Sequence, residues 1–262
     1  MNALNTAATG MLAQQRNVEV ISNNIANLNT VGFKRQRAEF QDLLYQTLER
    51  PGAISSETGT PVPNGVQVGT GVKTGSVYRI VEQGNVTQTG NDLDLAISGR
   101  GLFRVVLPDG SEAYTRAGNF AISADGQIVT EDGHEVSPGI TIPEDAIDIS
   151  ISEDGIVQAR IAGQQNLREL GQIELVSFFN ESGLEAIGDN LLLETAASGE
   201  AIVGNPGEEG FGRVLQGFVE TSNVDPVQEI TALIAAQRAY EMNARVIETS
   251  DEMLAINANL RG

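Results

Sequence analysis

The stretch "ISNNIANLNTVGFKRQRAEF", residues 21–40, poses the main problem of this sequence. Ile21, Ile25 and Leu28 recur at the spacing that places side chains on one face of an α-helix. Asparagine is a poor residue for a helix interior because its amide competes for backbone hydrogen bonds. Four asparagines nevertheless lie among and just beyond the apolar positions: Asn23, Asn24, Asn27 and Asn29. We therefore expect a helix that is weak in the free chain and forms when its apolar face is buried.

Apolar residues continue this spacing back to the N-terminus, with one polar interruption: Leu4, Ala7, Met11, Gln14, Val18, Ile21, Ile25 and Leu28. A second stripe of the same period follows Asp225 and Pro226, which are typical of a helix N-cap and first turn. It consists of Ile230, Leu233, Gln237, Tyr240, Ala244, Ile247, Asp251, Leu254 and Ala258. The spacing predicts two long helices at opposite ends of the chain.

Between the two helices the pattern changes to short β-prone runs separated by Asp-Gly pairs, which favour tight hairpin turns. These pairs are Asp109-Gly110, Asp125-Gly126, Asp132-Gly133 and Asp154-Gly155. The chain has 29 glycines and only 5% aromatic residues, as suits many tight connections. The sequence predicts a central, mainly antiparallel β body and thus an α+β fold.

Residues 46–71, "QTLERPGAISSETGTPVPNGVQVGTG", differ from both regions. Their prolines exclude a helix: Pro51, Pro61 and Pro63. Val66 and Val68 alternate as in a short strand. A flexible linker is one interpretation, but loops of this length in compact domains usually have a function. The other interpretation is an extended, β-like arm.

Composition excludes several functions. The net charge of −19 repels nucleic-acid phosphates, and the basic cluster at Lys34, Arg35 and Arg37 is too short to reverse that repulsion. With no cysteine there is neither a disulfide framework nor thiolate chemistry. No run approaches the roughly 18 apolar residues of a membrane span. We expect no nucleic-acid partner, no stable membrane insertion and no cleaved signal peptide, because a basic and then apolar leader is not visible.

Motifs for catalysis or cofactor binding are weak. Residues 69–76, "GTGVKTGS", resemble a phosphate loop superficially, but Val72 stands where that motif needs glycine. His134 follows a predicted turn and has no second histidine to help it. Neighbouring carboxylates such as Asp92 and Asp94 are expected by chance among 35 acidic residues. We expect no catalytic residue, cofactor or metal.

Two readings of the terminal helices remain. They pair within the chain as an antiparallel hairpin packed on the β body, or they bury their stripes against the same helices of other subunits. The second reading predicts a structural polymer, and the first also suits a soluble hydrolase or binding domain. Concentration-dependent fibre formation separates these functions.

The two ends of the chain also carry a family resemblance. Residues 22–34 resemble the N-terminal signature of the bacterial flagellar axial proteins of rod and hook, through Ser22, Asn23, Asn24, Asn27, Gly32 and Phe33. The run "SNVDPVQEITALIAAQRAYEMNARVIETSDEML" is similar to the family's C-terminal motif, through Asp225, Pro226, Gln237 and Arg238. The stretches "DLAISGRGLF" and "RAGNFAISADGQIV" add to the resemblance. Residues 45–71 resemble an insertion that marks the distal-rod branch and is absent from the hook branch.

This resemblance implies a structural subunit that the flagellar type III export apparatus delivers without a cleaved signal. It implies helical self-assembly into a straight, rigid drive shaft that crosses the periplasm and transmits motor torque. The implied partners are other copies of the chain, the proximal rod proteins, the hook and the rod-hook junction, and the surrounding L and P ring bushing. A proximal rod or hook subunit is the alternative within the family.

The combined expectation is a terminal helical domain of residues 1–31 and 225–262, coiled-coil-like between subunits, and a β-rich domain of residues 76–209. Residues 32–75 and 210–224 connect the two. The predicted assembly residues on the helices are Leu4, Met11, Val18, Ile21, Ile25, Leu28, Ile230, Leu233, Tyr240, Ile247 and Leu254. The predicted arm is residues 46–71, with Pro51, Pro61, Pro63, Val66 and Val68.

Overall fold

The computed structural model describes residues 2–49, 65–162 and 166–261. A long helix lies at each end of the chain, α1 (Asn2–Ala26) and α2 (Pro226–Arg261). Among the described residues between the helices, the regular structure is β-structure apart from the 3-10 turn Glu181–Gly183. The predicted α+β class, with terminal helices and a mostly antiparallel β body, is confirmed.

The strands in chain order are β1 (Gln36–Asp42), β2 (Tyr45–Glu49), β3 (Val66–Gly69), β4 (Val72–Arg79), β5 (Val86–Gln88), β6 (Leu95–Ser98), β7 (Leu102–Val106), β8 (Glu112–Thr115), β9 (Ala121–Ile122), β10 (Ile128–Val129), β11 (Glu135–Val136), β12 (Ala146–Ile151), β13 (Ile156–Ile161), β14 (Leu167–Gln172), β15 (Leu175–Ser177), β16 (Glu185–Gly188), β17 (Leu191–Leu193), β18 (Ile202–Gly204), β19 (Arg213–Gln216) and β20 (Phe218–Glu220).

The chain folds into two compact units, each assembled from separate stretches of sequence. The helical unit contains Met1–Ile25, Gln36–Tyr78 and Asp225–Gly262. The β unit contains Ala26–Arg35 and Arg79–Val224.

The helical unit combines α1 and α2 with two strand pairs, β1 with β4 and β2 with β3. The predicted N-cap of α2 is present, because Asp225 Oδ1 accepts hydrogen bonds from the backbone N–H groups of Val227 (2.9 Å) and Gln228 (3.3 Å). Pro226 occupies the first helical position, where its missing N–H costs nothing. The N-terminal helix α1 ends at Ala26. Leu28, the last residue of the predicted stripe, therefore lies in the turn that follows the helix.

The β unit is built around a nine-stranded sheet with the order β16-β17-β8-β7-β11-β10-β9, to which β15 and β18 add beside β7. A three-stranded sheet, β12-β13-β14, and the pairs β6/β19 and β5/β20 complete it. Large apolar side chains fill the interior: Leu95, Ile97, Phe103, Val105, Ile128, Val157, Ile173 and Leu175. Phe103 and Phe120 pack edge to face with ring centroids 5.0 Å apart.

The four Asp-Gly turns lie where the sequence predicts them. Each glycine has a positive φ, between 79° and 85°: Gly110, Gly126, Gly133 and Gly155. Each N–H donates to the carbonyl oxygen three residues earlier, as a tight turn requires. These turns fix the ends of the neighbouring strands, so the β unit follows from local signals in the sequence.

Candidate assembly interface

Two contacts join α1 and α2, which run antiparallel. An added Cβ on Gly10 would lie 2.9 Å from Nδ2 of Asn243, so glycine lets the helices approach there. At the other end of the contact, Asn24 Nδ2 donates to Glu229 Oε2 over 3.1 Å. The two contacts are fourteen residues apart on both helices, so the pairing keeps one register along its length.

Asn24 links three elements of the helical unit through one buried amide. Its Oδ1 accepts from the backbone N–H of Gln36, and its Nδ2 donates to the carbonyl oxygen of Gln36, both over 2.8 Å. The same Nδ2 reaches Glu229 on α2. Asn24 and Glu229 are each only 1% exposed. A short side chain with both a donor and an acceptor is needed for this geometry, which explains one of the four asparagines.

Most of the buried residues on the two helices are small or polar, with Val20 and Ile21 as the larger apolar exceptions. Buried residues on α1 are Ala7, Ala13, Val20, Ile21 and Asn24, and those on α2 are Glu229, Ala236 and Ser250. Burial of the helices thus begins within the chain, through Ala7 and Ile21 of the predicted stripe and otherwise through residues that a search for apolar stripes does not select.

Most residues of the predicted stripes are not among these buried residues. Ile21 is buried, whereas the other stripe positions on α1 are half-buried: Leu4, Met11, Val18 and Ile25. Leu233 and Ile247 are also half-buried. Three stripe residues on α2 are largely exposed: Ile230, Tyr240 and Leu254. The chain alone does not cover the apolar surface that its terminal helices carry.

Further large apolar side chains are exposed on the helices and were not predicted as assembly residues. On α2 they are Val227, Ile234, Met242, Val246, Met253 and Ile256, and on α1 Leu12 is 67% exposed. They lie on several faces of α2, so a search for one dominant stripe does not find them. The signal available in the sequence was the number of apolar residues per helical turn rather than their period.

Of the motif residues, Ser22, Asn23, Asp225, Pro226, Gln237 and Arg238 are exposed, and Asn27, Gly32 and Phe33 are half-buried. Asn27 closes the turn after α1, where its carbonyl accepts from the N–H of Thr30 over 3.3 Å and its side chain accepts from the Thr30 hydroxyl over 3.1 Å. The N-terminal motif therefore contains residues that end the helix as well as residues that form it.

The β unit contains a buried charge cluster that sequence reasoning missed. Glu220, 1% exposed, accepts from Arg116 Nε over 2.6 Å, from the Gly84 N–H over 2.9 Å and from Lys34 Nζ. The guanidinium of Arg116 also donates to three backbone carbonyls, those of Ile97, Gly99 and Gly101. Two of the family stretches quoted above meet in this cluster, because "DLAISGRGLF" supplies the carbonyls and "RAGNF" supplies Arg116.

The cluster shifts the pKa of both buried partners. Burial alone raises the pKa of Glu220, but the charge of Arg116 and hydrogen bonds from Lys34 and the Gly84 N–H outweigh it, so the pKa is lowered. Burial lowers the pKa of Lys34 despite the opposing effect of Glu220. The electrostatics hold Glu220 ionised, as an anchor of the fold.

Gly32, in the N-terminal motif, contacts the backbone of the same charge cluster. Its φ is +71°, and an added Cβ would lie 2.6 Å from the backbone nitrogen of Ala117. Its N–H donates to the carbonyl oxygen of Glu220 over 2.8 Å. Only glycine combines this backbone conformation with so close an approach. Gly32 and Lys34 thus attach the motif segment to the β unit.

The predicted arm is described only at its base. Strands β2 and β3 pair as a two-stranded ribbon, with Gln46 opposite Val68. Val66 and Val68 lie in β3, in the short strand that their alternation predicts. Exposed apolar side chains line the ribbon and its entry: Leu44, Tyr45, Leu48, Val66 and Val68. Pro51, Pro61 and Pro63 lie outside the described residues.

His134 is the histidine that the sequence analysis considered for chemistry. His134 is half-buried in its turn, and its backbone N–H donates to Thr130 Oγ1 over 3.2 Å. Within the described ranges no group of three or more His, Cys, Asp or Glu side chains is placed to hold a metal ion. Neither is any described helix both long and apolar enough to cross a membrane.

Comparison with known families finds three matches along the chain. Residues 4–34 match the family described as flagella basal body rod protein. Residues 96–159 match the flagellar hook protein FlgE/F/G D1 domain, and residues 215–260 match the C-terminal region of the flagellar basal body rod FlgEFG proteins. The matches cover both terminal helices and the centre of the β unit.

Curated relatives agree with these matches over the whole length. The chain is 66% identical to a flagellar basal-body rod protein FlgG of Caulobacter vibrioides, with 100% of both chains covered. It is 53% identical to FlgG of Agrobacterium fabrum over 98% of both chains. FlgF of Caulobacter vibrioides is 34% identical, with 96% of this chain and 94% of that protein covered.

Among solved structures, the hook protein FlgE2 of Helicobacter pylori is similar at 16% identity and a TM-score of 0.25, covering 71% of this chain and 43% of that one. The sequence relatives carry the assignment, and they confirm a structural protein of the flagellar basal body rather than an enzyme. By these matches the chain belongs to the FlgG family of flagellar basal-body rod proteins.

Proposed function

We propose that this chain self-assembles helically into the distal segment of the flagellar rod, a straight and rigid shaft that transmits motor torque to the hook. The observation that carries the proposal is the apolar surface of α1 and α2 that the single chain leaves uncovered. Exposed apolar surface of this extent on two long helices is typical of an interaction site.

The magnitude of this surface is sufficient for stable association. Each large apolar side chain that becomes fully buried contributes about 1.5–3 kcal/mol. Val227 is 72% exposed, Met242 61% and Ile234 46%, so roughly half or more of that contribution is still available to a partner. A seam of small residues within each chain permits close helix pairs, whose outer faces then meet other subunits as in a coiled-coil-like core.

The proposed domains follow from the same distinction between helices that contact other subunits and the β-structure between them. Residues 1–31 and 225–262 form the axial core of the shaft, and residues 76–209 form a β-rich domain. Residues 32–75 and 210–224 connect them, with residues 46–71 as an arm. The paired β2–β3 base and its exposed apolar side chains support an arm that reaches a neighbouring subunit and keeps the shaft straight.

The partners follow from the position of such a segment. They are other copies of the chain, the proximal rod proteins, the hook and its junction with the rod, and the L and P rings that surround the shaft as a bushing. We further propose that the chain crosses into the periplasm through the flagellar type III export apparatus without cleavage of a signal.

The test is a charge placed in the exposed apolar surface of α2. Ile230→Asp and Ile234→Asp should abolish polymers, because assembly would have to desolvate a carboxylate. Thr231→Asp is the matched control, since Thr231 is an exposed polar neighbour on the same helix. Sedimentation and electron microscopy measure polymer, and circular dichroism checks that the monomers fold alike. Normal shafts from both isoleucine variants would contradict the proposal, as would a wild-type chain that stays monomeric at high concentration.

A further inference from the structure

The chain passes between the helical unit and the β unit at four points, after Ile25, Arg35, Tyr78 and Val224. Three of these passages adjoin segments that belong to the β unit. We call them the β1 segment (residues 32–35), which leads into β1, the β4 segment (residues 80–85), which follows β4, and the α2 segment (residues 220–224), which leads into α2. Hydrogen bonds among these segments therefore restrain three of the four passages at once.

Backbone hydrogen bonds join the three segments but leave one end open. The α2 segment is bound through Thr221, whose N–H donates to the carbonyl oxygen of Asn85 over 2.8 Å. The β1 and β4 segments are joined where Ile80 N–H donates to the carbonyl oxygen of Arg35, also over 2.8 Å. Beyond Thr221, within the part of the chain that the structure describes, no backbone hydrogen bond holds the α2 segment to the other two. With backbone bonds alone, this segment would be loose where it approaches α2.

The side chain of Asn223 closes this open end. Its Oδ1 accepts from the backbone N–H of Arg35 over 2.7 Å. Its Nδ2 donates to the carbonyl oxygens of Ile80 and Glu82, both over 3.0 Å. The amide oxygen and both amide hydrogens are thus used, one on the β1 segment and two on the β4 segment. One side chain therefore ties all three segments together next to their passages.

The partners of Asn223 require an amide. Aspartate has the same shape, but it would place a carboxylate oxygen against the carbonyl oxygens of Ile80 and Glu82, where a donor is needed. Asn85, in the β4 segment, provides an internal comparison, because it takes part through its backbone carbonyl and is itself exposed. The two asparagines separate an effect of the Asn223 amide from a general effect of replacing a polar residue in these segments.

The tie has a consequence for assembly. Each residue of an extended segment has two soft backbone dihedral angles, so an untied segment samples many conformations. A chain that joins a polymer has to adopt one of them, and the conformational freedom that it loses opposes association. Segments that are already held to one another in the free chain lose less. A tie of this kind thus favours association without contacting a partner.

We propose that Asn223 is a positioning residue for assembly: its amide ties the passages into β1, out of β4 and into α2 together in the free chain and so reduces the entropy lost on polymerisation. The inference rests on the proposed polymerisation, and it adds a residue that lies outside the exposed helix surfaces. It also gives a role to the run that precedes Asp225, which neither the apolar stripes nor the helix N-cap explains.

Hydrogen exchange on the full-length monomer tests whether the tie exists. In Asn223→Ala the amide of Arg35 loses its acceptor, and we expect it to exchange about tenfold faster or more than in the wild type. The amides of β7 and β8, in the interior of the β unit, should keep their protection. Asn85→Ala is the matched control and should leave the exchange at Arg35 unchanged.

The critical concentration for polymerisation tests the role in assembly. We expect Asn223→Ala to raise it by about tenfold, because the loosened segments have to be ordered when a copy is added. Asn85→Ala should stay within about twofold of the wild type. All variants are compared at a temperature at which circular dichroism shows the monomers to be fully folded, so a residue that serves folding alone would not change this concentration. Asn223→Asp, which loses both donors but keeps an acceptor, should raise it as well and replaces Asn223→Ala if that variant does not fold.

The outcomes separate this inference from the proposed function. Unchanged exchange at Arg35 in Asn223→Ala would overturn the tie itself. Faster exchange with an unchanged critical concentration, or an equal rise for Asn85→Ala, would overturn its role in assembly and leave the proposed polymer intact. A wild-type chain that forms no polymer would overturn the proposed function together with that role, whereas the exchange measurement would still decide whether the tie exists.

Discussion

The helices α1 and α2 bury mainly alanine, asparagine, glutamate and serine, with Val20 and Ile21 as the larger apolar exceptions, whereas the interior of the β unit buries phenylalanine, leucine, isoleucine and valine. Large side chains such as Phe103 and Leu175 are fully enclosed by their own chain. On the helices, residues of similar size such as Met242 and Ile234 face outwards. The interior of the β unit is enclosed by its own chain, although Phe179 and Ile147 are exposed on its surface, whereas the two helices leave most of their large apolar side chains at least partly exposed.

The difference separates the residues that stabilise the single chain from those that remain available for the proposed assembly. A core of large apolar residues supplies most of the stability of a domain. A seam of small and polar residues supplies little transfer free energy but allows close approach and defines one register. Substitutions on one side of this contrast should therefore affect folding and assembly to different extents.

The largest effect on folding should come from the centre of the β unit. Phe103→Ala removes a ring that is fully buried and packed against Phe120, and we expect a loss of about 3–5 kcal/mol in the free energy of unfolding. Chemical denaturation of the dilute monomer measures it. Val227→Ala, at an exposed site on α2, is the control. Equal losses in the two variants would break the contrast between an enclosed core and an uncovered helix surface.

The buried charge cluster should give the next largest effect. Glu220→Gln leaves Lys34 and Arg116 without their counter-charge, and we expect a loss of about 3 kcal/mol near neutral pH. Lys34→Met should lose less, since burial already opposes the charged form of Lys34.

The charge cluster around Glu220 also predicts that the free energy of unfolding depends on pH. The pKa of Glu220 is lower in the folded chain than the ordinary value of 4.5, so its stabilisation is present above that value and is lost as pH falls through the folded pKa. Unfolding free energies measured from neutral pH to below 4.5 should therefore fall less steeply for Glu220→Gln than for the wild type. Identical slopes would show that this carboxylate does not anchor the β unit.

The stability of the pairing between α1 and α2 should depend on the side-chain amide of Asn24. Asn24→Leu removes hydrogen bonds to Gln36 and Glu229 and leaves buried backbone and carboxylate groups without that partner, at about 1–3 kcal/mol. Asn29→Ala, in the exposed turn after α1, should change stability by less than about 0.5 kcal/mol. Amide hydrogen exchange on α1 would show whether the loss is local to the helix pair. Unchanged protection in Asn24→Leu would remove the structural reason for that asparagine.

Some features of the two units could be predicted from the sequence, and others could not. The helices, the turn glycines at Gly110 and Gly126 and the strand at Val66 follow from local patterns, because each depends on residues a few positions apart. The contact between α1 and α2 within the chain was not predicted, because Gly10 and Asn243 are neither apolar nor adjacent in sequence. The Arg116–Glu220 ion pair was not predicted, because its partners are 104 positions apart in sequence.

The smallest effect on folding, and the sharpest test of the contrast, should come from the exposed residues of α2. Met242→Gln and Ile234→Gln replace apolar side chains that are 61% and 46% exposed, so the free energy of unfolding of the monomer should change by no more than about 0.5 kcal/mol. The same substitutions remove apolar area that assembly would bury, and we expect the critical concentration for polymerisation to rise by about tenfold or more for the pair. Glu241→Gln, an exposed polar neighbour of Met242, serves as the control for assembly. Denaturation of dilute protein and sedimentation of concentrated protein give the two quantities from the same preparation. A stability loss of several kcal/mol without a change in assembly would mean that these side chains serve the fold of the single chain, and the helical unit would then be as self-sufficient as the β unit.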